Sequence, residues 1–382
     1  MKKINIPIFR LNFGFKSKLK FLKGAWDILS SDRPLGESKY VNQFEERFAK
    51  MSNSKFAIAV SNGTVAIELA LKSLEIKGKK VLIPSNTFFA TSVAVTNAGC
   101  EIGLLDIDPE NFSISYEDLK NKISEEIGAV IIVHIGGIIS NNINKIKDLC
   151  KKFKVPLIED AAHAHFSKSG KNEVGSIGEL ACFSFFPTKV MTTGEGGMIT
   201  TNNKILYEKI KSLKNFGRDI NDSGIIVNDE GNNFKINEFT GLLGCIELDR
   251  VEKRIQKRTE LLEIYKTLLN NTDYEVIYQK GNGVCSNYKA IVITPMDNSW
   301  LKTYCRERDI TLTGEVYKIP VHQQPLYKEE FSSVNLPNTE YYSKHHICPP
   351  LYPELKIEEV HYICDVLKQA LVDYEKQSSK IS

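Results

Sequence analysis

Neither charge is in excess in this chain of 382 residues, no cysteines are paired in the sequence, and no apolar run is long. Fifty Lys and Arg stand against 47 Asp and Glu, and the resulting +3 is too small to imply nucleic acid or an acidic membrane as partner. The eight cysteines form no CxxC pair, and Cys182 sits inside the apolar LACFSFF. Buried reduced thiols in a cytoplasm are therefore expected, not a disulfide framework. The N-terminal MKKINIPIFRLNFGFKSKLKF begins basic but lacks the unbroken apolar stretch of a secretory signal. The longest apolar run, 129–139, holds His134 and two glycines, which makes it a strand and not a membrane span. Neither an internal repeat nor a low-complexity tract appears. A soluble cytoplasmic protein is the expectation.

What the chain does have is alternation. Residues 1–50 read as an arm and helices, with Phe44, Phe48 and Met51 at helical spacing. A short strand, Phe56–Val60, runs into SNGT and then VAIELALKSL, where Ile67, Ala70, Leu71 and Leu74 mark one buried helix face. Ser61 and Asn62 can cap that helix, Gly63 lets backbone approach a ligand, and the free N–H groups at its start make a phosphate seat. Strands at 81–83, 102–106, 129–135 and 156–160 then alternate with helical patterns, including 115–127 and 143–153. Short β-branched runs between amphipathic helices predict a mostly parallel sheet covered on both faces. Ligands of such sheets sit at the carboxyl ends of the strands, where Ser61–Thr64, Phe88, Asp160 and Ser184 would gather. Beyond a loop at 217–233, one long helical pattern from about 237 bridges to a second part with strands at 274–278 and 289–294 and a last helix over 357–371. We place a large domain at 1–250 and a small α/β domain at 251–382.

The stretch 158–197 carries the chemistry. Lys189 follows the apolar LACFSFFPT and precedes the glycine turn TTGEGG. An amine desolvated there has a lowered pKa, as imine formation with a carbonyl requires, although most lysines are solvated surface charges. Asp160 ends the strand VPLIED and has two readings: a cap for the next helix through Ala161 and Ala162, or the anion that keeps a pyridine nitrogen protonated. Asp160, His163 and His165 together could suggest a metal, but no fourth ligand is evident.

The chain resembles the sugar aminotransferases of the DegT/StrS type, pyridoxal phosphate (PLP) enzymes of the aspartate aminotransferase fold. The resemblance rests on SNGTVAIELAL, PSNTFFATSVAVTNAG before LLDID, IEDAAHAH, GSIGELACFSFFPTK, GEGGMITTN, NNFKINEFTGLLG, IPVHQQPLY and CPPLYP, in order across about residues 30–370. It implies a fold-type I enzyme, with a seven-stranded, mostly parallel sheet in the large domain. It makes Lys189 the Schiff-base lysine and Asp160 the partner of the pyridine nitrogen. Gly63, Thr64 and Ser184 would hold the cofactor phosphate, Phe88 would stack on the ring, and Asn233 would reach the cofactor of a neighbouring subunit in a homodimer with shared sites. His163 stands where the family usually has a glutamine beside the ring. His322, in PVHQQP, matches a substrate-domain position and suits either substrate contact or loop packing. Lys235 replaces the usual Arg, HIGG (134–137) replaces HxYG, and VMTTGEGG replaces the commoner Asn-Leu-Gly form; all three are expected to border the substrate pocket.

The implied activity is transamination from an amino acid donor, glutamate by resemblance, to a keto sugar, nucleotide-linked in the usual member, for amino-sugar or surface polysaccharide synthesis. The pocket departures leave a smaller, phosphorylated keto compound as an alternative acceptor. A sugar dehydratase of the family would carry His in place of Lys189, and a non-enzymatic relative would not need both Lys189 and Asp160.

Overall fold

The computed structural model describes residues 5–219, 226–312 and 315–381. Its centre is a sheet of seven strands: β1 (Phe56–Val60), β2 (Lys80–Pro84), β3 (Glu101–Leu105), β4 (Ala129–Val133), β5 (Leu157–Asp160), β6 (Leu180–Ser184) and β7 (Gly197–Thr201), in the order β1-β7-β6-β5-β4-β2-β3. All pairings are parallel except those of β7, which runs antiparallel to both β1 and β6. The expected mostly parallel sheet is therefore present, and β7, which the sequence showed only as the motif GEGGMITTN, supplies the reversed strand.

Side chains alternate across this sheet with the period of two that strands impose. Ala57, Ala59, Val130, Ile132, Ala181 and Phe183 join one core, with α2 (Lys39–Met51), α5 (Tyr116–Lys122) and α6 (Ile143–Lys152) supplying its cover. Ile58, Val60, Ala129, Ile131, Leu180 and Cys182 join the other, under α3 (Gly63–Ser73), α4 (Phe89–Asn97) and α7 (Lys204–Leu213). Burial on both faces explains why these strands read as continuous apolar runs. A third core gathers Ile6 with residues from Leu261 to Ala370 around a small antiparallel sheet of Glu275–Ile277, Ile291–Ile293 and His346–Ile347. Ile6 reaches it through backbone bonds with Asp309 and Thr311.

Three expected elements differ in extent. The pattern at 115–127 is helical only to Lys122, because Ile123 turns to an extended conformation and buries its side chain in the first core. The long pattern from 237 divides into α8 (Glu238–Leu248) and α9 (Val251–Leu269). Asp249, at the break, is held by Lys20 and Arg47, and Arg250 donates to the Asn12 carbonyl at 2.6 Å. The last helix runs over Ile357–Ile381, past the apolar period, where Asp373 accepts from the Tyr304 hydroxyl and Gln377 from the Trp300 indole. Of the loop at 217–233, residues 220–225 lie outside the described residues.

Phe48 is fully buried, and its ring meets Phe44, Phe166, Phe183 and Phe185 at centroid distances of 4.8–6.0 Å. Phe48→Ala is expected to destabilise the fold by about 3–5 kcal/mol, read as a shifted denaturation midpoint. A loss below about 1 kcal/mol would show that this aromatic cluster does not secure α2 to the sheet.

Candidate active site

The register of the sheet brings the carboxyl ends of its parallel strands to one edge. Val133 of β4 lies opposite Asp160, Asp160 opposite Cys182, and Ser184 and Val60 both opposite Gly197 of β7. A cleft of roughly 360 Å³ opens there, and Gly63, Thr64, Phe88, Asp160, His163, Ser184 and Lys189 all line it. These residues, far apart in sequence, come from four segments at the carboxyl ends of β1, β2, β5 and β6, so the sheet topology brings them together.

The start of α3 forms one end of the cleft. Asn62 caps this helix, its side-chain oxygen accepting from the Val65 N–H at 2.9 Å. The N–H groups of Gly63 and Thr64 find no acceptor among the described residues, and Ser184 stands beside them. The approach is close: a Cβ on Gly63 would lie 2.8 Å from Ser184 Cβ, and one on Gly197 would collide with the Asn62 carbonyl. Glycine at both positions is thus a packing requirement of this end, and the unpaired N–H groups at a positive helix pole suit an anion.

Asp160 lies deeper, almost fully buried. Its Oδ2 accepts from Thr91 at 2.9 Å, Thr91 in turn bonds to Thr87, and its Oδ1 accepts from the Ala162 N–H at 3.2 Å. Among the described residues no helix directly follows β5, so the expected helix cap is absent; one oxygen instead closes the turn at Ala162, which leaves the functional reading open. Burial pushes its pKa above the ordinary carboxylate value against these hydrogen bonds and the charge of Lys189. A carboxylate buried with neutral donors only is stabilised by any cation brought to it.

Lys189 has its pKa lowered by burial, with Tyr288 and Asp160 opposing and Lys289 adding to the shift. Its Nζ sits 4.8 Å from the centroid of the Tyr288 ring, and Lys289 lies 5.1 Å from the same centroid. The Tyr288 hydroxyl bonds to Thr188 at 3.0 Å. Burial raises the Tyr288 pKa, but Lys189, Lys289 and the Thr188 bond bring it down to about 8.

His163 packs on Tyr288 with ring centroids 4.3 Å apart. Its Nδ1 accepts from the Gly136 N–H at 3.3 Å, which leaves the ring proton on Nε2, 3.2 Å from the Tyr317 hydroxyl. Burial first, then Lys189 and Lys289, hold its pKa well below the usual value, so the ring is neutral. His165 lies against Phe183 and Phe185, and burial takes it down to about 3. Among the described residues no three His, Cys, Asp or Glu side chains gather as a metal would need.

Other expected positions stand apart from this cleft. Asn233 is exposed and bridges Asn215, and Lys235 donates to the Asn215 side chain at 2.6 Å while lying over the Phe216 ring. His322 is buried, 2.7 Å from Ser85 Oγ and 3.4 Å from Glu340, which is the loop-packing arrangement. The HIGG stretch does not border the cleft. His134 pairs with buried Glu159 at 3.0 Å, and Gly136 sits behind His163. The sequence reading missed Thr91, Tyr288, Lys289 and Tyr317. Thr91 carried a local signal, three residues past Phe88 in the same helix start, whereas the other three are brought in from more than 95 residues beyond Lys189 with no local pattern.

Comparison with known proteins gives this geometry its setting. The sequence model of the DegT/DnrJ/EryC1/StrS aminotransferase family matches residues 19–368. The chain is 30% identical over 354 residues to a GDP-perosamine synthase of Vibrio cholerae, covering 90% of this chain and 94% of that protein. It is also 30% identical over 360 residues to the UDP-4-amino-4,6-dideoxy-N-acetyl-beta-L-altrosamine transaminase of Campylobacter jejuni, covering 90% and 93%. The Streptococcus pneumoniae protein Spr1654, solved in apo, PMP and PLP forms, shares the fold: its PLP form superposes with a TM-score of 0.86 at 22% identity, over 96% of this chain and 98% of that one. The residues of the cleft fit PLP in chemistry. The free N–H groups at the α3 start and Ser184 suit a phosphate, the cation-less Asp160 suits a protonated ring nitrogen, and Lys189 offers an amine of lowered pKa.

The charge on Asp160 opposes the depression of the Lys189 pKa, so Asp160→Asn is expected to lower that pKa further. In the cofactor-free protein, amine-reactive labelling of Lys189 followed by peptide mapping would then rise with pH at a lower midpoint than in wild type. A midpoint unchanged or raised would mean that the Asp160 charge is not felt at the amine.

Proposed function

The chain belongs to the DegT/DnrJ/EryC1/StrS aminotransferase family and is a PLP-dependent aminotransferase, and we propose that it transfers the amino group of glutamate to a nucleotide-linked keto sugar. The observation that carries the reading is the single cleft holding Lys189, Asp160 and the start of α3. Relatives named for GDP- and UDP-linked sugars support the acceptor class. The alternative of a small keto compound keeps one of its supports, because Glu195 of the VMTTGEGG turn lines the cleft, whereas HIGG does not and Lys235 lies outside the cleft of its own chain.

Each side chain then has a task. Gly63 and Thr64 N–H groups and Ser184 Oγ hold the cofactor phosphate, Phe88 covers the ring, and Asp160 keeps the ring nitrogen positively charged. When bound, PLP supplies an electron sink for the carbanion left when a proton leaves the substrate. Lys189 Nζ, whose pKa burial lowers, takes that proton from the donor Cα; in the second half-reaction it returns one to the acceptor carbon. His163, neutral and fixed by Gly136, offers hydrogen bonding beside the ring without adding charge, as the family's glutamine does.

The same reading extends to a homodimer with shared sites. Asn233 and Lys235 lie outside the cleft of their own chain, as residues serving a partner's site would. On α1 (Gly14–Leu29), Phe15, Leu22, Trp26 and Leu29 form an exposed row opposite the face packed on Leu242 and Ile246, a surface that a second copy would cover. Among the described residues no helix is long and apolar enough to cross a membrane. The eight cysteines are buried free thiols, which supports a reducing cytoplasm. We keep the division at 1–250 and 251–382, supported by the third core, which apart from Ile6 is drawn from residues 261–370, although Val251, Ile255 and Val321 pack into the cores of the central sheet.

Lys189→Ala is expected to lower transamination turnover by roughly 10²–10⁴-fold or more, the range for losing a proton-transfer group. In the wild-type enzyme converted by glutamate, nucleotide-linked keto sugars should restore the original cofactor absorbance, whereas small free ketones should not. Restoration by small ketones alone would overturn the nucleotide-sugar assignment, and full turnover by the Lys189→Ala enzyme would overturn the role of Lys189.

A further inference from the structure

We propose that Lys289 is the anchor for the carboxylate of the amino acid donor, an inference that rests on the aminotransferase reading above. Lys289 lines the cleft and is partly exposed within it. Among the described residues no carboxylate lies within ion-pair distance of its ammonium group. Of the acids that line the cleft, Asp160 is bonded to Thr91 and Ala162 and Glu315 pairs with Lys302, while Glu195 forms no ion pair among the described residues. The Nζ groups of Lys189 and Lys289 both lie near the ring of Tyr288, and among the described residues no anion is paired with the second. An unpaired cation in a half-buried cleft is a recruiting point for an anionic ligand group.

The backbone just before it is firmly held. The Tyr288 N–H donates to the Gly136 carbonyl at 2.9 Å, and the Tyr288 carbonyl accepts from buried Arg258 at 3.2 Å, which also donates to Asn287 and Leu351. The Tyr288 hydroxyl is tied to Thr188, the residue before Lys189. Tyr288, whose ring both lysines approach, is therefore fixed beside the reacting amine, and Lys289 follows it directly in the chain.

That proximity selects the ligand group. In an amino acid the carboxylate is bonded directly to the carbon that loses its proton. In a nucleotide-linked sugar the phosphates are separated from the keto carbon by atoms of the sugar ring. An anchor one ring away from Lys189 suits the first arrangement, and the phosphate seat at α3 lies at a different wall of the cleft.

The test measures the two half-reactions separately in the cofactor-loaded protein. Lys289→Met is expected to raise the glutamate concentration needed for half-maximal conversion of the cofactor by roughly 10- to 100-fold, the effect of losing one charge-assisted hydrogen bond. The acceptor half-reaction, started from the enzyme in its aminated form, should stay within about threefold of wild type, and Lys289→Arg should recover most of the glutamate affinity. Calorimetric binding of glutarate, which carries the carboxylates without an amine, should weaken in parallel. Unchanged glutamate dependence in Lys289→Met would overturn the inference, as would equal damage to both half-reactions, which would place Lys289 on the acceptor or on the charge of Lys189. If no amino acid converts the wild-type enzyme, the donor assignment fails and this inference falls with it; a converting wild type matched by its variant refutes the anchor alone.

Discussion

Taking a carboxylate and an amine out of water in the same cleft is the physical condition on which the site depends. Either group alone would be driven to its neutral form, since desolvation disfavours both charges. Here burial raises the Asp160 pKa and lowers that of Lys189, while each charge partly offsets the shift of the other. The result is an amine that loses its proton readily next to an acid still able to take a cationic partner. That combination needs low polarity around both groups and enough distance to prevent a collapsed ion pair. The parallel strands provide it by placing Asp160 at the end of β5 and Lys189 in the turn after β6, on neighbouring strands but not on opposed residues.

Much of this was legible because the fold is built from local patterns. The alternating apolar runs declared their own strands, and burial on both faces of the sheet is the reason they were so continuous. Gly63, Ser184, Asp160 and Lys189 each stand at the carboxyl end of a strand or in the turn just past it, so reading strand ends was enough to find them. The boundaries failed where tertiary contacts overrode local preference. Ile123 left its helix to fill the core, and Asp249 and Arg250 broke a helical pattern to engage the N-terminal helices.

The wall of the cleft formed by Tyr288, Lys289 and Tyr317 was not legible, for a different reason. These residues belong to segments whose own pattern is that of a short strand and a loop. Only the docking of those segments against β4, β5 and the turn at 134–137 turns them toward the site. Tyr288 illustrates the point: its backbone is held by Gly136 on one side and by Arg258 from α9 on the other. Arg258 is buried with its charge spent on three carbonyl groups, and burial lowers its pKa to about 10. A cation used in this way is a structural strut, and no spacing in the sequence distinguishes it from a surface arginine.

The substitutions that set this chain apart from its relatives can be sorted by the same geometry. HIGG looked like a change to the substrate pocket, yet His134 is consumed by Glu159, whose oxygens also accept the N–H groups of Gly175, Ile177 and Gly178. That pair fastens the loop between β5 and β6 from behind. The tyrosine-free HIGG turn also leaves Gly136 small enough to place its N–H on His163 Nδ1, with positive φ at Gly136 and Gly137. His163 and HIGG are therefore coupled in this structure: the turn behind the ring donates the hydrogen bond that fixes its tautomer. A neutral histidine held this way presents one N–H donor to the cleft, much as one face of a glutamine amide would. The departure therefore bears on how the histidine is held beside the cleft.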